Sequence, residues 1–192
     1  MPNVAPRTAI TVAQGRAMEQ ATPDVRVELL DGVVVATGGA TPWHAVMTCA
    51  LAAAIRKALP RHCRVAAESL AVGTRVDDAT FVHPDVTVLC GPVETHPSDD
   101  TVVMNPRAVG EVLSPTTALR DWNDKLPKYK GMPSLQTIVY VDHSRRQVTA
   151  YLRLGQAWEE VVSTSTPMLL RDLGAELKID DLYDEGIADG GP

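Results

Sequence analysis

Val109-Gly110-Glu111-Val112-Leu113-Ser114-Pro115 decides how this chain is read. One carboxylate stands inside a short apolar run, Ala108 to Leu113, that reads as a buried strand with no evident solvent face. Charged side chains are seldom buried unless they are paired or bind a metal, so Glu111 needs a partner. A second acid has a similar setting: Pro84-Asp85-Val86 opens the apolar run Asp85 to Cys90, and a proline at a strand start sacrifices no essential ladder bond. Between Glu111 and the next strands, Asp121-Trp122-Asn123-Asp124-Lys125 offers a lysine on a helix expected from about Ala118, with Pro127 as a kink or early end.

Working outward, residues 8–20 read as a short outer helix, and Asp24 to Ala36 alternates in the β manner around Asp31-Gly32, a strong hairpin signal. Glu28 lies on the first arm. Thr41-Pro42 is a helix start, with a side-chain oxygen as cap and proline at the first helical position, and the helix runs to Leu59 before Pro60. His44 falls in its first turn. Three strands are expected from Cys63 to Cys90, and an exposed, mobile loop from Gly91 to Pro106. Strands follow at Leu135 to Asp142, Gln147 to Leu154 and Trp158 to Val162, then a last strand and short helix in residues 174–184. This order predicts an α/β, or mixed α+β, fold in a single domain over residues 1–192, with loose ends at 1–7 and 186–192.

The 192 residues carry a formal charge of −6 and are 45% hydrophobic, which is ordinary for a globular domain and argues against a protein that coats nucleic acid through a broad basic surface. It leaves room for a nuclease, whose acids gather around metal ions. No signal-like or membrane-spanning stretch is read, and Cys49, Cys63 and Cys90 lack CxxC spacing, so buried, reduced thiols and a cytoplasmic setting are expected. His62, His83, His96 and His143 are expected to be solvated.

Two carboxylates on neighbouring core strands can hold Mg²⁺, an ion that takes oxygen ligands and lowers the pKa of bound water, and a lysine can orient that water. Asp85, Glu111 and Lys125 supply the set. The residues alone also allow an acid paired with an arginine in the core, and an Asp121–Lys125 surface pair worth only about 0.2 to 0.5 kcal/mol.

A resemblance adds to this. Val27-Glu28-Leu29-Leu30-Asp31-Gly32, Pro42-Trp43-His44, Pro84-Asp85-Val86, Glu111-Val112-Leu113-Ser114-Pro115-Thr116-Thr117, Asp121 through Lys125, Tyr129 and Pro133-Ser134-Leu135-Gln136 together resemble a bacterial family of putative restriction endonucleases within the PD-(D/E)xK nuclease superfamily. The resemblance implies a restriction-endonuclease-like core, a mixed central β-sheet flanked by helices. It implies that Asp85 and Glu111 ligate Mg²⁺ or Mn²⁺, with the Val112 carbonyl as a third ligand. Leu113 stands where the superfamily places its lysine, and the family's helix lysine maps to Lys125, with Lys128 as the alternative. Glu28 and His44 map to further members of the site. The activity implied is hydrolysis of phosphodiester bonds in DNA, by a homodimer. Rival readings are a catalytically inactive nucleic-acid-binding or scaffold protein, and a metal-dependent hydrolase of a small phosphoester.

Overall fold

The computed structural model describes residues 9–37, 41–68, 70–74, 78–114, 121–142 and 144–183. The expected loose ends, the Gly38-Gly39 loop, the start of the helix near Ala118, and His143 lie outside these residues. Helix α1 (Val12–Ala21) opens on a capping box, in which Thr11 accepts from Gln14 N and the Gln14 side chain accepts from Thr11 N. Strands β1 (Arg26–Leu30) and β2 (Val33–Thr37) form the hairpin, and Asp31 (φ 51°) and Gly32 (φ 75°) both take the left-handed conformation that a two-residue turn of this twist requires. Helix α2 (Pro42–Ala58) is capped by Thr41 Oγ1, which accepts from His44 N.

Next come β3 (Cys63–Ala67), β4 (Ala71–Gly73), β5 (Phe81–Val82), β6 (Val86–Cys90), β7 (Thr95–His96), β8 (Asp99–Val103) and β9 (Ala108–Leu113). A π-helical turn, Asp121–Lys125, leads into α3 (Leu126–Gly131), followed by β10 (Thr137–Asp142), β11 (Gln147–Leu154), β12 (Ala157–Ser163), β13 (Met168–Leu170) and β14 (Ala175–Leu177).

The architecture is mixed α+β. One six-stranded sheet runs β2-β1-β5-β4-β8-β7, a second runs β12-β11-β10-β9-β6-β3, and β13-β14 pair separately. Alternation along the strands sorts side chains into layers. Val27 and Leu29 join Val12 and Phe81 beneath α1. Leu30, Val72 and Val82 of the first sheet meet Val109, Leu113, Ile138 and Tyr140 of the second, with Tyr129 of α3 among them. On the far face of the second sheet, Val86, Val88, Val112 and Val139 pack under Met47, Leu51 and Ile55 of α2. A Cβ on Gly110 would sit 2.9 Å from Leu51 Cδ2, so glycine lets α2 close on β9. No helix among the described residues is long and apolar enough to cross a membrane.

Several expectations are corrected. Residues 91–106 are not simply a loop: β7 and β8 form a hairpin there, and β8 pairs in parallel with β4. Among the described residues the 63–90 stretch holds four strands rather than three, and a second sheet lies beside the expected mixed one. Pro127 lies in the first turn of α3 rather than ending it; lacking an N–H, it cannot donate to Asn123, and the helix is π-wound immediately before it. The thiols are not all reduced and buried. Cys63 and Cys90 stand opposite each other in the β3–β6 ladder, Cα atoms 4.1 Å apart, and form a disulfide, while Cys49 is free and exposed. Antiparallel pairing brings together residues 27 apart, which spacing in the sequence does not reveal.

Candidate active site

Strand register assembles the acids. Val86 pairs with Ala67 of β3 on one side and Gly110 of β9 on the other. One step further along both ladders sets Asp85 between Glu68 and Glu111, a lateral row of three carboxyl residues. The first step is marked by a hydrogen bond from Glu68 N to the Asp85 carbonyl, 2.8 Å. On the other side Asp85 Oδ2 accepts from Val112 N at 2.7 Å. A strand residue aims its N–H and C=O at the same neighbour, so the Val112 carbonyl faces the edge where Asp85 lies. The Val112 side chain is in the core.

Glu28 reaches the same place from the first sheet. Its neighbours Val27 and Leu29 point to α1, so Glu28 and Leu30 point between the sheets. Glu28, Glu111 and Lys125 are 1%, 2% and 3% exposed, and Asp85 is 9% exposed. Lys125 Nζ stands 2.9 Å from Glu28 Oε1 and 3.2 Å from Glu111 Oε1, which makes burial of the acids tolerable. Tyr129 Oη donates to Glu111 Oε1 at 2.5 Å, and His83 N donates to Glu28 Oε1 at 3.0 Å. Burial and the Glu111 charge push the Tyr129 hydroxyl well above its usual pKa, so it stays a donor. Trp122 stacks on Tyr140 with centroids 4.5 Å apart and pins the π turn that delivers Lys125 to the sheet.

His44, in the first turn of α2, puts Nε2 3.2 Å from Asp85 Oδ2 and Nδ1 3.9 Å from Glu68 Oε1. The hydrogen bond to Asp85 raises its pKa against the opposing effect of burial.

The structure thus brings Asp85, Glu111, Lys125, Glu28 and His44 into one connected cluster, as the sequence reading grouped them. Lys125 touches Glu111, whereas Lys128 pairs with Asp31 at the surface. Asp85, Glu111 and the Val112 carbonyl offer oxygen donors of the kind that Mg²⁺ or Mn²⁺ takes. Two neighbours, Glu68 and His83, escaped the sequence reading, and Tyr129, quoted there within the resembling pattern, was given no role. Tyr129 follows Lys125 by one helical turn, a spacing that could have disclosed its contact with Glu111. Glu68 depends on the β3–β6 register, which no local pattern encodes. His83, expected in solvent, is buried; its Nε2 is 2.9 Å from Glu19 Oε1 but out of line for a hydrogen bond, and desolvation holds its pKa down at about 4. A separate open cleft of about 670 Å³, between α1 and the β7–β8 hairpin, contains none of these residues.

The chain is 25% identical over 159 residues to an uncharacterized protein of Synechocystis sp., slr1290, covering 81% of this chain and 82% of that one. A second uncharacterized Synechocystis protein, sll1609, is 26% identical over 138 residues, covering 71% and 76%. The crystal structure of a putative nuclease belonging to DUF820 from Anabaena variabilis superposes with a TM-score of 0.70 at 17% identity, over 91% of this chain and 97% of that one, which shows a shared fold. Residues 12–180 match the family described as Uma2, putative restriction endonuclease, and the chain belongs to that family.

Proposed function

We propose that this protein is a metal-dependent nuclease that hydrolyses phosphodiester bonds in DNA, with Asp85, Glu111 and the Val112 carbonyl as ligands of Mg²⁺ or Mn²⁺. The observation that carries the reading is the buried lysine bridging Glu28 and Glu111 next to Asp85, a costly arrangement that packing alone does not call for. A bound ion would supply charge neutralisation and lower the pKa of a water. The chain's own residues do the rest. Lys125 holds its ammonium where it can orient the attacking water and offset charge building on the phosphate. Tyr129 fixes the rotamer of Glu111, and His83 N fixes Glu28. Asp85 is held by Val112 N and by His44, which lies on the more open side.

The burial of Glu28, Glu111 and Lys125 favours a second reading, a hydrolase of a small phosphoester that enters a closed site. The test is a cleavage assay on single-stranded DNA, duplex DNA and RNA, with bis-p-nitrophenyl phosphate alongside, in Mg²⁺, Mn²⁺ or chelator. Asp85→Asn, Glu111→Gln and Lys125→Met are expected to lose at least a hundredfold in rate. Wild-type rates in these variants would remove the assignment, and activity confined to the small ester would select the second reading. The homodimer that we infer by analogy is checked by light scattering.

A further inference from the structure

The Glu68 end of the carboxyl row is built differently from the Glu111 end. Lys125 pairs with Glu28 and Glu111. Glu68 and Asp85 lie one residue beyond the last β3–β6 pair, where the hydrogen bond from Glu68 N to Asp85 O sets two like charges side by side. Among the described residues, the ionisable side chain that meets both is His44. One ligating atom each from His44, Glu68 and Asp85 lie within 4.8 Å of one another, close enough for small side-chain rotations to converge them on one ion. His44 Nδ1 is buried without a hydrogen-bond partner.

The backbone is shaped to this end. Glu68 has φ 53°, a left-handed conformation that a glutamate adopts only at a cost. Glu68 N donates to Asp85 O, and Arg26 Nη2 donates to Glu68 O at 2.7 Å, so both main-chain polar groups of this residue are anchored. The anchored backbone leaves the carboxylate facing His44. The Glu68 side chain is 33% exposed, which gives an ion a way in.

We propose that His44, Glu68 and Asp85 form a second divalent-cation site, distinct from the one between Asp85 and Glu111 and sharing Asp85 with it. Its imidazole nitrogen with two carboxylates suits Mn²⁺, Co²⁺ or Zn²⁺, whereas Mg²⁺ favours oxygen ligands alone. The inference rests on the metal-dependent reading through the shared Asp85.

The experiment measures binding on the full chain, with no turnover involved. Calorimetric titration with Co²⁺ is expected to give two ions per chain, and electron spin-echo spectroscopy of the Mn²⁺ form is expected to show coupling to an imidazole nitrogen. Glu68→Gln and Glu68→Gly should each lose one Co²⁺ or weaken it at least tenfold. Glycine accepts the left-handed backbone, so Glu68→Gly should melt at or above the wild-type temperature, which separates lost ligation from lost folding. His44→Gln should lose the nitrogen coupling, and Glu111→Gln should keep it. Glu68 variants that bind Co²⁺ like the wild type, or a wild type without nitrogen coupling, overturn the second site. Loss of the nitrogen-coupled ion in Glu111→Gln would also overturn it, by reducing the two sites to one. If Glu111→Gln instead keeps both ions, the Asp85–Glu111 ligation fails while the His44–Glu68–Asp85 site stands.

Discussion

Lys125 is the residue on which the buried charges depend. Removing one partner of a buried ion pair costs about 3 to 5 kcal/mol, because the other charge stays dry and uncompensated. Among the described residues, the Lys125 ammonium meets both Glu28 and Glu111. Lys125→Met should therefore lose about 3 kcal/mol or more in urea unfolding at pH 7.5. Adding Glu28→Gln should restore part of the loss, since the pair is coupled. An unfolding curve like that of the wild type would mean that Lys125 does not neutralise the acids. His83 gives the pH counterpart. Burial lowers its native pKa to about 4 from 6.5, despite the opposing pull of Glu28. Between these values the unfolded chain binds a proton that the native chain refuses, so stability rises with pH across this window. The contribution of His83 is fully present above 6.5 and falls as pH drops toward about 4, by at most about 3 kcal/mol. Unfolding free energies of wild type and His83→Gln between pH 4 and 7 should diverge with that sign, and parallel curves would refute it. Neither residue's burial follows from its neighbours in sequence. Glu111 was legible because valines, glycine and leucine surround it, whereas His83 sits in Val82-His83-Pro84, which reads equally well as exposed.

At the scale of elements, α3 is short, yet it presents Tyr129 and follows directly on Lys125. One side chain from the neighbouring sheet holds its end. Arg153 Nη2 donates to the carbonyls of Lys130 (3.2 Å) and Met132 (2.7 Å), and its Nε donates to Leu135 O (2.7 Å). Its guanidinium also lies 4.3 Å from the Trp158 ring centre. Arg153→Met keeps the aliphatic stem but strands these acceptors, at about 2 to 3 kcal/mol in total. The expected outcome is lower stability together with faster amide exchange in residues 126–131, and unchanged exchange there would show that α3 is held by its apolar contacts instead. The sequence announces the helices and hairpins whose signals are local. The capping residue Thr41 before Pro42, the Asp31-Gly32 turn and the apolar run of β9 are each contained within a few residues. What it conceals is pairing between distant strands. The parallel contact of β8 with β4 and the Cys63–Cys90 register arise only when the sheets assemble, so an exposed loop and free thiols were the natural local readings. Glu68 was hidden for the same reason, since its place beside Asp85 is a fact of register.

For the whole molecule, the layered arrangement sets an electrostatic problem that the proposed function must solve. The chain has 24 acidic and 18 basic residues, and under the proposed function its site would meet a polyanion with Glu28, Glu68, Asp85 and Glu111 gathered, among the described residues, around His44 and the buried ammonium of Lys125. Nucleic acid ordinarily binds through lysine and arginine contacts to phosphate, and neither the total charge nor this cluster favours that by itself. Divalent ions bound to the carboxylates would invert the local sign, so DNA affinity should depend on the cation even when no bond is cut. With Ca²⁺ as an oxygen-seeking stand-in, a fluorescent DNA duplex should bind at least tenfold tighter than in chelator, by anisotropy at fixed ionic strength. Asp85→Asn and Glu111→Gln should respond much less to Ca²⁺, because the ion no longer has its ligands. The same variants should bind DNA in chelator slightly better than the wild type, since each removes a negative charge from the path of the phosphates. Equal affinity in Ca²⁺ and chelator would place the DNA contacts on some other surface. It would also leave the buried acids with a small phosphoester, whose charge a closed site can meet with Lys125.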